Sequence, residues 1–180
     1  MQVRRVRTED LSRDEIEAIR TILWAAFADD GEGGFTEDDW QHALGGVHVI
    51  AEVDGRVAAH GSVVPREIRF GGQALRTGYV EAVATQPGLQ RMGLGTVVMR
   101  EVGAIIDEAY EVGVLGTGEH GFYERLGWRT WRGPSSVRAS DGDRATPDDD
   151  GYLMVLEVPA TRTLDLDAPI NCDLRPGDVW

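Results

Sequence analysis

Apolar residues cycle through this chain with two different periods, and the order of those periods predicts an α+β fold. Val3 to Arg7 reads as a short strand. Ser12-Arg13-Asp14-Glu15 then has the form of a capping box, and Ile16, Ile19, Ile22, Leu23, Ala26 and Phe27 follow at helical spacing. That helix ends near Ala28, before the acidic, glycine-rich run 29–34, and a second short helix begins at Thr36 to Asp39 and stops at Gly45-Gly46. Strands are predicted over Val47 to Val53, Arg56 to Phe70 and Ala74 to Thr85, joined by turns at Asp54-Gly55 and Gly71-Gly72. A long helix follows Gly93, with Val97, Val98, Val102, Ile105, Ile106, Ala109 and Tyr110 on one broad face. Val112 to Thr117 is a short buried strand, Tyr123 to Leu126 a short helix closed by Gly127, and Trp128 to Trp131 and Tyr152 to Val158 are further strands. Ser140 to Gly151 reads as a polar, aspartate-rich loop. Hairpins followed by a strand–helix–strand crossover imply a mixed sheet with flanking helices. With no internal repeat and no linker, residues 1–180 are expected to form one domain.

Composition adds charge to this picture. Acidic residues number 31 against 18 basic ones, a formal net charge of -13. Such a surface repels nucleic acid and anionic membrane and draws in cations, although it also serves solubility alone. No run of apolar residues is long enough for a membrane helix, and the basic start of the chain has no apolar stretch after it, so no signal peptide and a cytoplasmic location are expected. Cys172 is the single cysteine, which excludes an internal disulfide. His42, His48, His60 and His120 show no metal-ligand spacing and read as packing or hydrogen-bonding residues, so no metal is expected.

The segment richest in chemistry runs from Tyr79 to Gly95, where a strand enters a glycine-bearing loop and a long helix starts. Amides at a helix start lack intrahelical partners and carry the positive end of the helix dipole. That makes an anion site suited to a pyrophosphate, with Gly93 and Gly95 allowing close approach and Arg91 adding charge. A third glycine at the dinucleotide-binding offset is missing, and no Gly-Lys-Ser/Thr follows. Gln90-Arg91-Met92-Gly93-Leu94-Gly95 resembles instead the Gln/Arg-x-x-Gly-x-Gly/Ala motif of the GCN5-related N-acetyltransferases (GNAT). The resemblance implies the GNAT fold, with a mostly antiparallel mixed sheet and a splayed strand pair, and acetyl-CoA as cosubstrate. The implied acetyl-CoA contacts are Val83 and Thr85 on the strand, then Gln90, Arg91, Met92, Gly93, Leu94, Gly95 and Thr96.

Further stretches narrow the likeness. Phe35-Thr36-Glu37-Asp38-Asp39-Trp40, Leu44-Gly45-Gly46-Val47-His48, Gly78-Tyr79-Val80-Glu81 and the closing Asn171 to Trp180, with its Gly-Asp-x-Trp, are similar to the aminoglycoside 2'-N-acetyltransferases. Pro134 to Val137 and Thr146 to Gly151 fit the mycobacterial branch of that group. The resemblance implies a cationic amino-sugar acceptor, antibiotic resistance, a homodimer, and direct attack of the amine on the thioester in a ternary complex. Glu81 would accept the amine proton, through water; its other reading is a strand carboxylate paired to an arginine. Tyr123 would donate a proton to the departing thiolate; its other reading is core packing. Asp39, Asp178 and the carboxylate of Trp180 would hold ammonium and hydroxyl groups, with Asp39 also a capping partner for Thr36.

The chain departs from the group at two places. Gly34 stands where the group has aspartate, and a longer preceding loop offers Asp29, Asp30 and Glu32. Thr117-Gly118-Glu119-His120 replaces a serine-rich turn. Asp30, Glu32 and Thr117 would therefore border the acceptor, and kasugamycin, a polyamine or a biosynthetic amino sugar remain alternative acceptors. A non-catalytic acyl-CoA sensor is the rival from another class, which the presence of both Glu81 and Tyr123 opposes.

Overall fold

Fourteen residues after Ser12 form the first helix because two signals coincide. Ser12 and Glu15 complete a reciprocal capping box, with Ser12 N donating to Glu15 Oε2 at 2.7 Å and Glu15 N donating to Ser12 Oγ at 3.3 Å. Ile19, Ile22 and Leu23 then bury one face. In this computed structural model, which describes residues 1–28, 34–159 and 164–180, the chain forms two compact units. One comprises residues 1–64 and 80–104, the other residues 65–79 and 105–180. Strands β3 (Arg56–Phe70) and β4 (Gln73–Thr85) and helix α3 (Leu94–Ala109) each contribute to both.

In the first unit β1 (Gln2–Arg7) runs antiparallel to β2 (Val47–Val53), and β2 antiparallel to β3, with Val47 opposite Val63. Helices α1 (Arg13–Ala26) and α2 (Glu37–His42) close a core of Ile19, Ile22, Leu23, Trp40, Ala43, Ile50 and Ala84. Each large side chain in it contributes roughly 1.5–3 kcal/mol by leaving water. Helix α3 comes close to β3 at Gly61, where an added Cβ would lie 3.1 Å from Val98 Cγ1.

In the second unit the first part of β4 pairs in parallel with β5 (Val112–Gly116), with Thr77 opposite Val112 and Tyr79 opposite Val114. Helix α3 supplies the crossover, as parallel strands require. Strand β9 (Leu153–Glu157) lies antiparallel to β5 and also pairs with β6 (Arg129–Thr130). On the other side the end of β3 pairs antiparallel with β10 (Ile170–Asp173), and β10 runs parallel to β7 (Ser135–Ala139), which turns into β8 (Gly142–Ala145). The short α4 spans His120–Glu124.

Several sequence expectations shift here. The strand expected over Trp128 to Trp131 shortens to Arg129–Thr130, and the helix expected over Tyr123 to Leu126 starts earlier, at His120. The segment expected to be a polar loop from Ser140 holds β8 and a 3-10 turn at Pro147–Asp149. The reason is turn chemistry: Asp141-Gly142 favours a hairpin, and the fully exposed β8 has no apolar face to reveal its period. No strand is predicted in the closing Asn171 to Trp180, yet Asn171 and Cys172, with Ile170 before them, are buried in β10, an interior strand of the second unit's sheet.

Candidate active site

The first unit holds the candidate anion-binding loop. After β4 the chain turns at Gln86, whose amide donates to Ala58 O at 2.8 Å and whose carbonyl accepts from Leu89 N at 2.9 Å. Residues 90–93 are exposed, and Gly93 O accepts the first bond of α3 from Val97 N at 3.1 Å. The amides of residues 94 to 96 thus precede the first intrahelical bond and are available to an anion, with the helix dipole behind them. Gly88 and Gly93 have positive φ of 92° and 83°, and a Cβ on either would meet nothing within 4 Å among the described residues. The donor set, the open backbone and the adjacent Arg91, itself at φ 65°, fit a pyrophosphate.

The strand leading there runs on past its parallel partner. The parallel register of β4 with β5 covers only Thr77 to Tyr79, while β4 continues to Thr85. Val83 and Thr85, both half-buried, lie in this continuing part. Ala82 has φ 52°, a left-handed conformation that a non-glycine residue adopts only when its surroundings hold it. Two buried polar residues of β3 do so. Ser62 Oγ donates to Glu81 O at 3.2 Å, and His60 Nδ1 lies 2.8 Å from Ala82 O. The candidate base Glu81 therefore stands, half-buried, at a kink fixed by side chains of the neighbouring strand.

Behind His60 the polar chain continues. His48 Nδ1 lies 2.9 Å from His60 Nε2, and Thr8 Oγ1 lies 2.9 Å from His48 Nε2. Because Ala82 O can only accept, His60 carries its proton on Nδ1, His48 donates through Nδ1, and the Thr8 hydroxyl donates to His48 Nε2. Both rings are buried and neutral; burial lowers His48 to about 4 and His60 to about 3. These folded values lie below the unfolded one, so the unfolded chain takes up more protons in acid. The stability from neutral histidines is complete above about pH 6.5 and is lost as pH falls toward the folded values, at about 1 kcal/mol per pH unit for each ring. Urea midpoints should therefore decline steadily below about pH 6.5 and less steeply in a His48→Gln variant; equal slopes would contradict the neutral pair.

The second unit holds the candidate acid and several residues expected to contact the acceptor. Tyr123 of α4 is 8% exposed, packed edge-on against Phe122 and Trp128. Burial, then the nearby charge of Glu119, pushes its phenol up to about 12, so it remains a donor at neutral pH. Trp180 is 6% exposed, its indole Nε1 donating to Thr146 Oγ1 at 2.9 Å, its amide to Asp178 Oδ1 at 3.3 Å. Thr117 N donates to Tyr152 O and Tyr152 N to Asp149 O, which joins Thr117 at the end of β5 to the turn at Pro147–Asp149.

That turn supplies a residue sequence reasoning missed. Asp149 is half-buried, and its carboxyl is raised above the usual range by burial first and by the charge of Asp178 second. Asp149 and Asp178 thus form an acidic corner beside Trp180. In sequence Asp149 is the middle of three aspartates, of which Asp150 is taken up in holding Ser135, and nothing in the string distinguishes them. Asp39 serves as the capping partner of Thr36: its Oδ2 accepts from Thr36 N at 2.8 Å and Thr36 Oγ1 at 2.7 Å. Asp30 and Glu32, with Asp29, lie outside the described residues.

Residues 7–131 match the family model described as an acetyltransferase (GNAT) domain, a class that the strand kinked at Ala82 and running into the start of α3 fits. The chain belongs to that family. It is 42% identical, over 98% of its own length and 91% of the relative's, to an aminoglycoside 2'-N-acetyltransferase of Mycolicibacterium fortuitum. Among solved structures it matches a GNAT family N-acetyltransferase of Escherichia coli in complex with CoA, with a TM-score of 0.66, 16% identity, and coverage of 95% of this chain and 88% of that one. It also matches a GNAT family acetyltransferase of Brucella melitensis in complex with acetyl-CoA, with a TM-score of 0.60, 19% identity, and coverage of 91% and 92%. At these identities the likeness to the solved structures is one of fold. The chain spans about a third of the length of some larger matching structures, 34% of a probable N-acyltransferase from Enterococcus faecalis.

Proposed function

We propose that residues 1–180 act as a single acetyltransferase domain that moves an acetyl group from acetyl-CoA to the 2'-amine of an aminoglycoside, giving resistance. The observation that carries the proposal is the 42% identity, sustained over 98% of the chain, to an aminoglycoside 2'-N-acetyltransferase. The acceptor is a polycation, and a protein of formal net charge -13 concentrates such molecules while repelling nucleic acid and anionic membrane. A homodimer in the cytoplasm is the working form that the resemblance implies.

The residues divide the work. Val83 and Thr85 offer backbone along the kinked strand, while Gln90, Arg91, Met92, Gly93, Leu94, Gly95 and Thr96 hold the pyrophosphate at the start of α3. Acetyl-CoA, when bound, supplies the activated acetyl group. Glu81 takes the proton from the acceptor ammonium, directly or through water, because only the neutral amine is nucleophilic. Tyr123 keeps its proton and presents it to the leaving sulfur. Asp149, Asp178, Trp180 and Asp39 hold acceptor ammonium and hydroxyl groups, with Thr117 beside the turn that carries Asp149. Cys172 is buried in β10 with its thiol pushed up to about 11, chiefly by burial, which suits it poorly as a nucleophile and favours direct transfer.

The test is thiol release from acetyl-CoA with gentamicin, tobramycin, kanamycin A and kasugamycin. Turnover of the first two and none of kanamycin A, which bears a hydroxyl at the 2' position, is expected. Turnover of kasugamycin alone would keep the chemistry and reassign the acceptor, the alternative that the departures at Gly34 and Thr117 leave open. Acetyl-CoA binding without turnover of any of the four would overturn the aminoglycoside assignment.

A further inference from the structure

The segment 173–180 has little secondary structure of its own after Asp173, yet its last residue is buried. Something outside it must fix its path. The strongest anchor is Arg66 on β3, whose side chain is only 7% exposed. Its Nη1 donates to Val179 O at 3.0 Å and its Nη2 to Asp173 O at 3.1 Å, so one guanidinium ties the two ends of the segment. The same group lies over the ring of Tyr79, 4.7 Å from its centre, and Asp173 Oδ1 is 3.5 Å away. Cys172 Sγ shares Val179 O at 3.4 Å. Arg175 completes the arrangement from within the segment: its Nε donates to Asp178 O at 2.8 Å, and its guanidinium lies 5.4 Å from the centre of the same tyrosine ring.

We propose that Arg66, seated on Tyr79, is the positioning residue that sets where Asp178 and Trp180 lie and so determines affinity for the amine acceptor. The inference rests on the acceptor role given above to those two residues. The geometry demands arginine. Two carbonyls separated along the chain are reached by two nitrogens of one planar fork that also stacks on an aromatic face, whereas lysine offers a single compact ammonium. A carbonyl oxygen of Val179 already bonded from one side by Arg66 leaves the next residue, Trp180, little freedom. The indole bond to Thr146 then fixes its far end. Every contact of this arrangement lies within the second unit, so its loss should be felt by the acceptor and not by acetyl-CoA.

The test compares wild type with Arg66→Lys and Arg66→Met, each confirmed folded by circular dichroism. The lysine variant should raise the KM for gentamicin by about tenfold, with kcat and the KM for acetyl-CoA changed by no more than about twofold. A second readout needs no substrate: the Trp180 indole N–H resonance, assigned by its loss in Trp180→Phe, should move toward the position of an exposed indole in both Arg66 variants. An unmoved resonance with an unchanged gentamicin KM would overturn the proposal. A displaced resonance with an unchanged gentamicin KM would overturn it too, because the segment would then not serve the acceptor. If the wild type turned over no amine, the proposed function would fail instead, and the indole resonance alone would decide whether Arg66 positions the segment.

Discussion

Tyr123→Phe should lower kcat for acetyl transfer by about 100-fold, while the dissociation constant for acetyl-CoA changes little. Phenylalanine fills the same space against Phe122 and Trp128, so the variant removes one oxygen and leaves the packing intact. The phenol is suited to donation because burial pushes it up to about 12. It is therefore protonated throughout the neutral range, and wild-type activity should show no alkaline limb from this residue below about pH 10. The surroundings that disfavour a tyrosinate also disfavour a bare thiolate leaving beside it, so the proton is worth most at the moment the sulfur departs. Steady-state thiol release and calorimetric titration of acetyl-CoA measure the two quantities. A kcat within about threefold of wild type would remove Tyr123 from the acid role and return it to core packing.

The reach of the sequence can be judged from particular elements. Strands β2 and β3 were legible to the residue, because Asp54-Gly55 and Gly71-Gly72 mark their ends and apolar side chains fill their middles. The glycine-bearing turn before α3 was legible for a related reason: glycines at a strand-to-helix junction record a backbone requirement directly. What failed to show was whatever depends on long-range contact. Strand β10 pairs with β3 and β7 through residues more than 30 positions away, as Asn171 does with Ser136, and its polar Asn171 and Asp173 disguise it. The kink at Ala82 is invisible locally, since the residues that hold it, His60 and Ser62, belong to another strand. His48 and His60 were expected to be packing or hydrogen-bonding residues, and both hydrogen-bond, but their connection to the kink exists only in three dimensions. Asp149 and Arg66 escaped for the same reason: each looks like an ordinary surface charge until the last residues of the chain are laid beside it.

Gly133→Ala should be the most damaging single methyl group in the second unit, lowering stability by at least about 3 kcal/mol and the melting temperature by about 6 °C or more. Its Cβ would lie 1.8 Å from Ala168 O and 2.6 Å from Ala168 C, a collision with main chain that no rotamer relieves. The segment it would displace is tied down at several points. Arg132 N and Gly133 N both donate to Leu166 O, Trp131 Nε1 donates to Ala168 O at 3.0 Å, and Ile170 N donates to Pro134 O at 2.9 Å. Moving residues 167 and 168 outward therefore breaks bonds to buried groups, including the indole of Trp131, and strains the start of β10 beside β7. Gly121→Ala is the control: its Cβ would meet only Arg125 Nη1, at 3.8 Å, and alanine within a helix is favourable by itself. Thermal and urea unfolding of the two variants separate a general intolerance of glycine replacement from this particular contact. If Gly133→Ala melted with the wild type, the close approach of Gly133 to Ala168 would be wrong, and with it the path by which the chain enters β10.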